Sequence, residues 1–455
     1  MGAIVGPERT RVRAQQHSAA ETGNPRWRPL TRVAFRMCVA YFGLFCLVFA
    51  QITYVFTGIA GQWLPDEAIL WQMTAVEPIV AWVGRQVFGV DAVLHDSGSG
   101  DQAIIWLLVF CLLVLAAVIT AVWTALDRRR GDYSGLTAWF VVVIRLCLGG
   151  QMIFYGMAKV IPTQMTSPPL AALVQPYGEF SPMSVLWMQV GSSHPYEILL
   201  GSAEVLGGLL LFVPRTATLG AMLSLVSLAQ VFVLNMTFDV PVKILSFHLV
   251  LLCLVVLAPQ ARRLANVLVL ERPSEPATQP RLFRTLRAER ILVVVQIFLG
   301  IWVLIGCVRS GWDAWREYGD GATKPALYGI WDVTEFDVDG VALPPLTSDE
   351  NRWQRLIVDT SGAAYQRMDG SRVPAEAVVD PEARTIALSE PAQEPSRQPK
   401  QFASFTFEQP GPDRLVLRGQ VNDRPVTVSL TELDLDSFPL RSCGFHWVQD
   451  YAYFR

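Results

Sequence analysis

Long apolar runs and one change of periodicity organise this chain. After Arg309 the apolar positions alternate with polar ones, and eight short alternating segments follow one another between turn sequences. Before Arg309, seven segments are long and apolar enough to cross a bilayer: they lie at about 37–55, 102–125, 136–158, 197–213, 217–235, 243–258 and 291–308. The pattern predicts a polytopic α-helical membrane protein of about seven spans with a C-terminal all-β domain, for which sequential strands favour an up-and-down β-barrel.

Composition agrees with a membrane protein and excludes several function classes. Hydrophobic residues make up 52% of the chain, and the mean hydropathy is +0.34. The net charge of −3 gives no reason to expect nucleic acid as a partner. Seven cysteines include no C-x-x-C pair, which argues against thiol–disulfide relay chemistry. A single histidine inside a span, His248, argues against a bis-His haem, and no metal site is expected.

The distribution of basic residues predicts the orientation of the spans. With the N-terminus inside, the inner segments 1–36, 126–135, 214–216 and 259–290 carry eighteen Arg, whereas the outer loops carry only Arg85, Lys159 and Lys243. Cytoplasmic loops are enriched in Lys and Arg. We therefore expect a multi-pass protein of the cell (inner) membrane, with a cytoplasmic N-terminus and an extracytoplasmic C-terminal domain.

Three connecting segments carry local signals of structure. Residues 65–90 have apolar positions at helical spacing and predict a helix on the outer membrane face. In the second outer loop, 159–196, Ser181-Pro182 predicts the start of a short helix, and so apolar an ordered loop is expected to cover something. The stretch 259–290 mixes Arg with Leu and Val, which favours an interfacial connector.

Charged residues inside the spans are the candidate site. Glu204 lies in an apolar run, with Gly201, Gly207 and Gly208 allowing another helix to approach closely. We expect Glu204 to be the counter-charge of Arg145 or Lys159. The candidates for an outward-facing polar pocket are Arg145, Tyr155, Lys159, Glu204 and His248. A structural ion pair explains the charges equally well, and a His248 satisfied by a neighbouring helix is the favoured interpretation over a proton donor to a ligand.

Residues 137–263 resemble the DoxX family of four-helix membrane proteins. The resemblance rests on three motifs: Arg145-Leu-Cys-Leu-Gly-Gly with Phe154-Tyr-Gly-Met-Ala-Lys159, Gly201-Ser-Ala-Glu204-Val-Leu-Gly-Gly, and Arg215-Thr216 followed by Leu219-Gly-Ala-Met. It implies a link to thiosulfate:quinone oxidoreduction, to membrane oxidoreductase complexes with sulfur-handling partners, or to membrane-protein assembly. Two helices before this unit, one after it and the β-domain depart from a minimal member of that family.

The C-terminal domain shows a weaker resemblance to lipocalin-type (calycin) barrels. It rests on Gly329-Ile-Trp331 near the first strand. Such barrels commonly hold small apolar ligands, although an eight-stranded barrel can equally be filled by side chains. The aromatic C-terminus, Gly444 to Arg455, is expected to cap the barrel, dock on the membrane or contact a ligand.

The predicted organisation leads to two hypotheses for function. The segments are a disordered Arg-rich tail (1–31), two spans with their loop (32–136), the DoxX-like unit (137–263), a connector with the last span (264–309) and the barrel domain (310–455). The first hypothesis is an accessory subunit of a quinone-linked or sulfur/thiol redox complex, without an intrinsic cofactor but with quinone as a possible ligand. The alternative is a non-enzymatic assembly or ligand-binding protein that engages client membrane proteins through its β-domain.

Overall fold

The computed structural model describes residues 27–274, 282–391 and 400–452. Among them, seven helices are long and apolar enough to cross a membrane, which confirms the predicted number. Residues 1–26 of the predicted tail lie outside the described residues. The spans are α1 (Pro29–Val48), α3 (Ala103–Leu126), α4 (Ser134–Val160), α6 (His194–Phe212), α7 (Ala217–Thr237), α8 (Lys243–Leu257) and α10 (Leu286–Glu317).

The first span begins eight residues earlier than the apolar pattern predicts. Helix α1 includes Arg36, which the sequence places in the inner segment 1–36, and it ends before Phe49, whose backbone is extended. A buried Arg can belong to the helix because its guanidinium group finds acceptors inside the protein. Short helical turns follow, Ala50–Tyr54 and Val55–Trp63, and they turn at Gly58, whose φ is 55°.

Two of the connecting segments form helices where the sequence predicts them, and the third, predicted as an interfacial connector, contains a short helix. Helix α2 (Trp71–Val83) lies in the first outer loop and buries Val80 against the residues of α3. Helix α5 (Pro182–Gly191) is capped by Ser181, whose hydroxyl accepts from the Ser184 amide. Helix α9 (Ala261–Leu268) follows α8. These helices confirm the local signals of capping residues and apolar spacing.

Glycines bring α4, α6 and α7 into backbone contact. A Cβ placed on Gly208 would lie 2.9 Å from the carbonyl oxygen of Gly149, and one on Gly156 would lie 2.8 Å from that of Gly201. On the other face of α6, a Cβ on Gly220 would lie 2.9 Å from the Gly207 carbonyl oxygen. In an apolar solvent, close packing of small residues is what holds helices together.

The C-terminal strands close into an antiparallel barrel. The strand order follows the chain, and β1 pairs with β9 as well as with β3, so the sheet is closed. A two-residue strand accompanies the eight predicted ones. The strands are β1 (Gly329–Val338), β2 (Val341–Ala342), β3 (Trp353–Asp359), β4 (Gly362–Arg367), β5 (Arg372–Asp380), β6 (Thr385–Ser389), β7 (Gln401–Gly411), β8 (Arg414–Val421) and β9 (Arg424–Glu432).

Alternating positions of these strands fill the barrel interior. The buried cluster includes Trp331, Trp353 and Phe405, and successive inward positions such as Leu415 and Leu417 lie two residues apart. Trp331 donates its indole N–H to the Leu327 carbonyl oxygen at 3.0 Å, so its polar atom is satisfied. The interior cluster is therefore a packed core of aliphatic and aromatic side chains.

The loop 159–196 packs on the outside of the barrel. Leu170, in a one-turn helix (Leu170–Leu173), is buried against Ile330 of β1, Ile357 of β3 and Ala364 of β4. Its amide donates to the Asp359 carboxylate at 2.7 Å. The apolar character of this loop thus reflects burial on the barrel wall, which a loop connecting two spans does not reveal by itself.

The described chain divides into two compact units. The helical unit comprises residues 1–157 and 201–309, and the barrel unit comprises 158–200 and 310–455. The barrel unit is thus built from two stretches of sequence, because it contains the second outer loop together with the terminal residues of α4 and the first turns of α6.

Candidate ligand site in the helical unit

A cavity of about 530 Å³ lies in the helical unit between α4, α7, α8 and α10. Its walls are mainly apolar, and the polar side chains that line it are Thr137, Arg145, Arg215, Thr218, Gln260, Glu289 and Gln296. Ligand pockets in proteins typically have this size and this combination of apolar walls with few polar groups. The apolar lining includes Val141, Val142, Val256, Leu286, Leu292 and Val293.

Arg145 is the buried charge of this cavity. Only 5% of Arg145 is exposed, and its guanidinium group donates to the Oε1 atom of Gln296 on α10. Its Nε–H is buried and makes no hydrogen bond within the described residues. A buried donor without a partner is costly, so the Nε–H of Arg145 has an unused capacity to donate a hydrogen bond.

Glu204 lies at a different level of the helical unit. The Gly156–Gly201 contact places Glu204 beside Tyr155, and the two side chains interact electrostatically. Arg145 is ten residues from Tyr155 on the same helix, which corresponds to about 15 Å along the axis. Arg145 donates to Gln296 at its own position along α4. The pairing of Glu204 with Arg145 or Lys159 stays a prediction.

Tyr155 connects Glu204 to two glutamines. The amide of Gln51 donates to the Tyr155 hydroxyl at 2.7 Å, and Gln151 donates to the backbone oxygen of Gln51 at 3.0 Å. Gln151 is fully buried, and its Oε1 atom has no hydrogen-bond donor within the described part of the chain. The polar side chains predicted to form one pocket thus lie in two groups at different positions along α4. One group surrounds Arg145, and the other surrounds Tyr155 and Glu204.

His248 is satisfied by neighbouring groups, as the favoured interpretation predicts. Its two ring nitrogens lie 2.7 Å from the Tyr41 hydroxyl and 2.7 Å from the Ile244 carbonyl oxygen. The ring also stacks on Phe45, with 4.1 Å between centroids. Both hydrogen-bonding positions of the imidazole are occupied, so we regard His248 as a packing residue of α1 and α8.

Lys159 belongs to the barrel unit. It is 5% exposed and acts electrostatically on Glu197, which is completely buried. Glu197 was not among the predicted site residues because it stands at the edge of an apolar run. Its burial could have been suspected only from its place in the first turn of a predicted span.

Sequence reasoning also missed Arg36, which is 2% exposed. Arg36 donates to Tyr133 Oη from Nε at 2.9 Å, to Thr124 Oγ1 at 2.8 Å and to the Asp127 carbonyl oxygen at 2.7 Å. The Tyr133 hydroxyl donates to the Asp127 carboxylate at 2.9 Å, and this hydrogen bond lowers the pKa of that carboxyl. The cluster fastens α1 to the loop between α3 and α4.

One relative shows the family of the chain. Over 132 residues the chain is 31% identical to the uncharacterized protein YwoB of Bacillus subtilis (strain 168), a match that covers 27% of this chain and 78% of YwoB. The chain belongs to the same family as YwoB. No protein-family model matches the chain, and no solved structure matches it. The name of YwoB assigns no activity, so the function is argued from the site.

Proposed function

We propose that the chain is an accessory subunit of a quinone-linked or sulfur/thiol redox complex in the inner membrane, and that its helical unit binds the head group of a quinone-type ligand beside Arg145. The observation that carries the proposal is the unpaired, buried Nε–H of Arg145 at an apolar cavity of about 530 Å³. A quinone combines carbonyl acceptors with an apolar body. Such a ligand would satisfy the guanidinium group and fill the space between the helices. The DoxX resemblance of residues 137–263 is consistent with this role.

The cavity gives this ligand an entry side that differs from the predicted one. Its lining residues include Thr137, Arg215, Gln260 and Leu282, which adjoin the segments that the distribution of Arg assigns to the cytoplasm. We therefore propose entry from the cytoplasmic half of the bilayer, with the N-terminus inside. The residues of the cavity bind and orient the ligand, while electrons come from a partner of the complex.

Quinone binding to the purified protein in nanodiscs tests this proposal. Titration with a short-chain quinone should give saturable binding that Arg145→Met weakens by about tenfold or more, since a hydrogen bond to a charged group contributes roughly 1.5–3 kcal/mol. Gln296→Leu should weaken binding less. Arg262→Met removes the same charge from an exposed position and should bind as the parent does. Equal affinity of the parent and a folded Arg145→Met variant would contradict the proposal.

A second candidate function is assembly of, or binding to, client membrane proteins through the barrel unit. It is favoured by the C-terminal aromatic residues, which do not cap the barrel but are exposed: Phe445 by 77%, Trp447 by 90% and Tyr451 by 89%. Clustered exposed aromatic residues are typical of binding surfaces. Cross-linking in native membranes should yield a defined partner that is lost in Trp447→Ala with Tyr451→Ala and kept in Leu346→Ala, whose side chain is also exposed.

A further inference from the structure

The barrel unit contains a cluster of side chains from three separate stretches of sequence. Ser167 lies in the second outer loop, His194 begins α6, and Asp320 follows α10. The Asp320 carboxylate lies 2.8 Å from His194 Nε2 and accepts from the Ser167 hydroxyl at 3.1 Å. The Ser167 hydroxyl oxygen is also 3.1 Å from His194 Nε2. Two polar side chains, Ser167 and Asp320, thus converge on one edge of the His194 imidazole.

The other edge of the imidazole faces Glu197. His194 Nδ1 and Glu197 Oε2 lie 3.9 Å apart, and both atoms are buried and lack a hydrogen bond within the described residues. The second carboxylate oxygen, Oε1, is already occupied, since it accepts from the Met165 amide at 3.2 Å. The free oxygen of a fully buried carboxylate therefore points at the free nitrogen of a histidine.

A proton between His194 Nδ1 and Glu197 Oε2 would satisfy both atoms. An ionised Asp320 only accepts, so His194 Nε2 carries the hydrogen of that short contact. Without a further proton, two lone pairs would then face each other in a buried space, where unpaired polar atoms are costly. A hydrogen on either Nδ1 or Oε2 turns this repulsion into a hydrogen bond, provided the two side chains move a little closer.

Exposure changes across the cluster from solvent to interior. The side chains of His194 and Asp320 are 37% and 33% exposed, whereas that of Glu197 is 0% exposed. Besides His194, the charged groups that act on Glu197 are Lys159 of α4 and Asp320, which have opposite effects on it. Ionisable chains of this kind in membrane helices mark proton pathways. The His194 imidazole has one nitrogen, Nε2, facing the partly exposed Asp320 and the other, Nδ1, facing the buried Glu197.

We propose that His194 and Glu197 form a proton-exchange site, in which the imidazole passes a proton between solvent and the buried carboxylate. For uptake, the ring is the Nδ1–H tautomer while Asp320 takes a proton from solvent; Asp320 passes that proton to Nε2 and becomes the ionised acceptor again. The Nδ1 proton then moves to Glu197 Oε2, which leaves an Nε2–H ring and a neutral carboxylic acid. Release runs through the same atoms in reverse. This role goes beyond ligand binding at Arg145 and does not depend on it.

Infrared difference spectroscopy of the full-length protein in nanodiscs tests the proposal. A pH step between about pH 9 and pH 5 should produce a carboxylic-acid carbonyl band that is absent in Glu197→Gln. Gln keeps the size of the side chain and an oxygen for the Met165 amide. Glu382→Gln removes an exposed carboxylate of the barrel and should keep the band.

The rate of the same band tests the part played by His194. In His194→Gln the band should appear at least about tenfold more slowly, as expected when a positioned acid–base group is lost. Asp320→Asn keeps the imidazole but removes the carboxylate beside Nε2, and it should also slow the appearance of the band. This variant provides the test if His194→Gln does not fold. A wild type without any Glu197-dependent band would show a permanently ionised Glu197 held by Lys159. That result, or unchanged rates in the folded variants, would overturn the proposal.

Discussion

Gly208 on α6 faces Gly149 on α4 so closely that a Cβ on Gly208 would lie 2.9 Å from the carbonyl oxygen of Gly149. The obstacle is backbone, which cannot rotate away. Gly208→Ala should therefore separate the two helices and destabilise the protein by about 1–3 kcal/mol, as overpacking generally does. Thermal unfolding in detergent measures the change.

Gly43 provides a matched control for this substitution. It lies within helix α1, and a Cβ placed on it meets nothing within 4 Å. Gly43→Ala should leave stability unchanged or raise it by up to about 1 kcal/mol, because Ala favours the helix. Equal destabilisation by both variants would show that backbone contact is not what Gly208 contributes.

Tyr133→Phe tests the cluster around Arg36. The substitution keeps the aromatic packing but removes an acceptor of a guanidinium group that is 2% exposed. We expect a loss of about 1–3 kcal/mol, since a buried donor is left without one of its partners. Phe35→Leu changes packing beside the same ring without touching the hydrogen bonds and separates the two contributions.

The same variant should change acid sensitivity. The pKa of Asp127 is lowered in the folded protein, chiefly by the Tyr133 hydroxyl. Its contribution to stability is therefore complete above the unfolded value of about 3.9, and it is lost as the pH falls through the folded value. In Tyr133→Phe that part of the acid-induced loss should disappear, which unfolding at pH 7 and near pH 3.5 would measure. An identical pH dependence in both proteins would contradict this assignment.

Leu170→Ala tests the attachment of the second outer loop to the barrel wall. Leu170 is 1% exposed and packs against Ile330, Ile357 and Ala364. We expect a loss of about 2–5 kcal/mol, as for other buried leucines, and faster proteolysis of the loop. Leu440→Ala removes an exposed leucine of the same unit and should have little effect. Unchanged protease sensitivity of the loop would argue against the contact.

Reporter fusions test the proposed orientation. A periplasmic reporter fused after Arg455 should be active, and one inserted after Pro273 should be inactive, because the Arg-rich segments are expected inside. A cytoplasmic reporter should give the opposite pattern. Activity on the wrong side at either position would reverse the assignment and move the entry to the Arg145 cavity to the outer half of the membrane.

The sequence predicted the elements better than their contacts. Seven apolar runs and eight alternating segments identified the spans and strands, because each signal is local. Arg36 was placed in the inner segment 1–36 because a charge normally ends an apolar run, and its acceptors near Asp127 and Tyr133 are about ninety residues away. The pairing of Arg145 with Gln296 depends on helix register across 151 residues, which periodicity does not encode.

The division of the barrel unit into two stretches has a consequence for synthesis. Leu170 leaves the ribosome well before its partners, since about 160 residues separate it from Ile330. At 5–20 residues per second this interval lasts roughly 8–30 s. During that time the loop emerges with an apolar surface and no barrel to cover it. Translation order thus leaves time for misfolding or for binding by a chaperone. This period ends no earlier than the synthesis of β4, which carries the last of the three residues that cover Leu170.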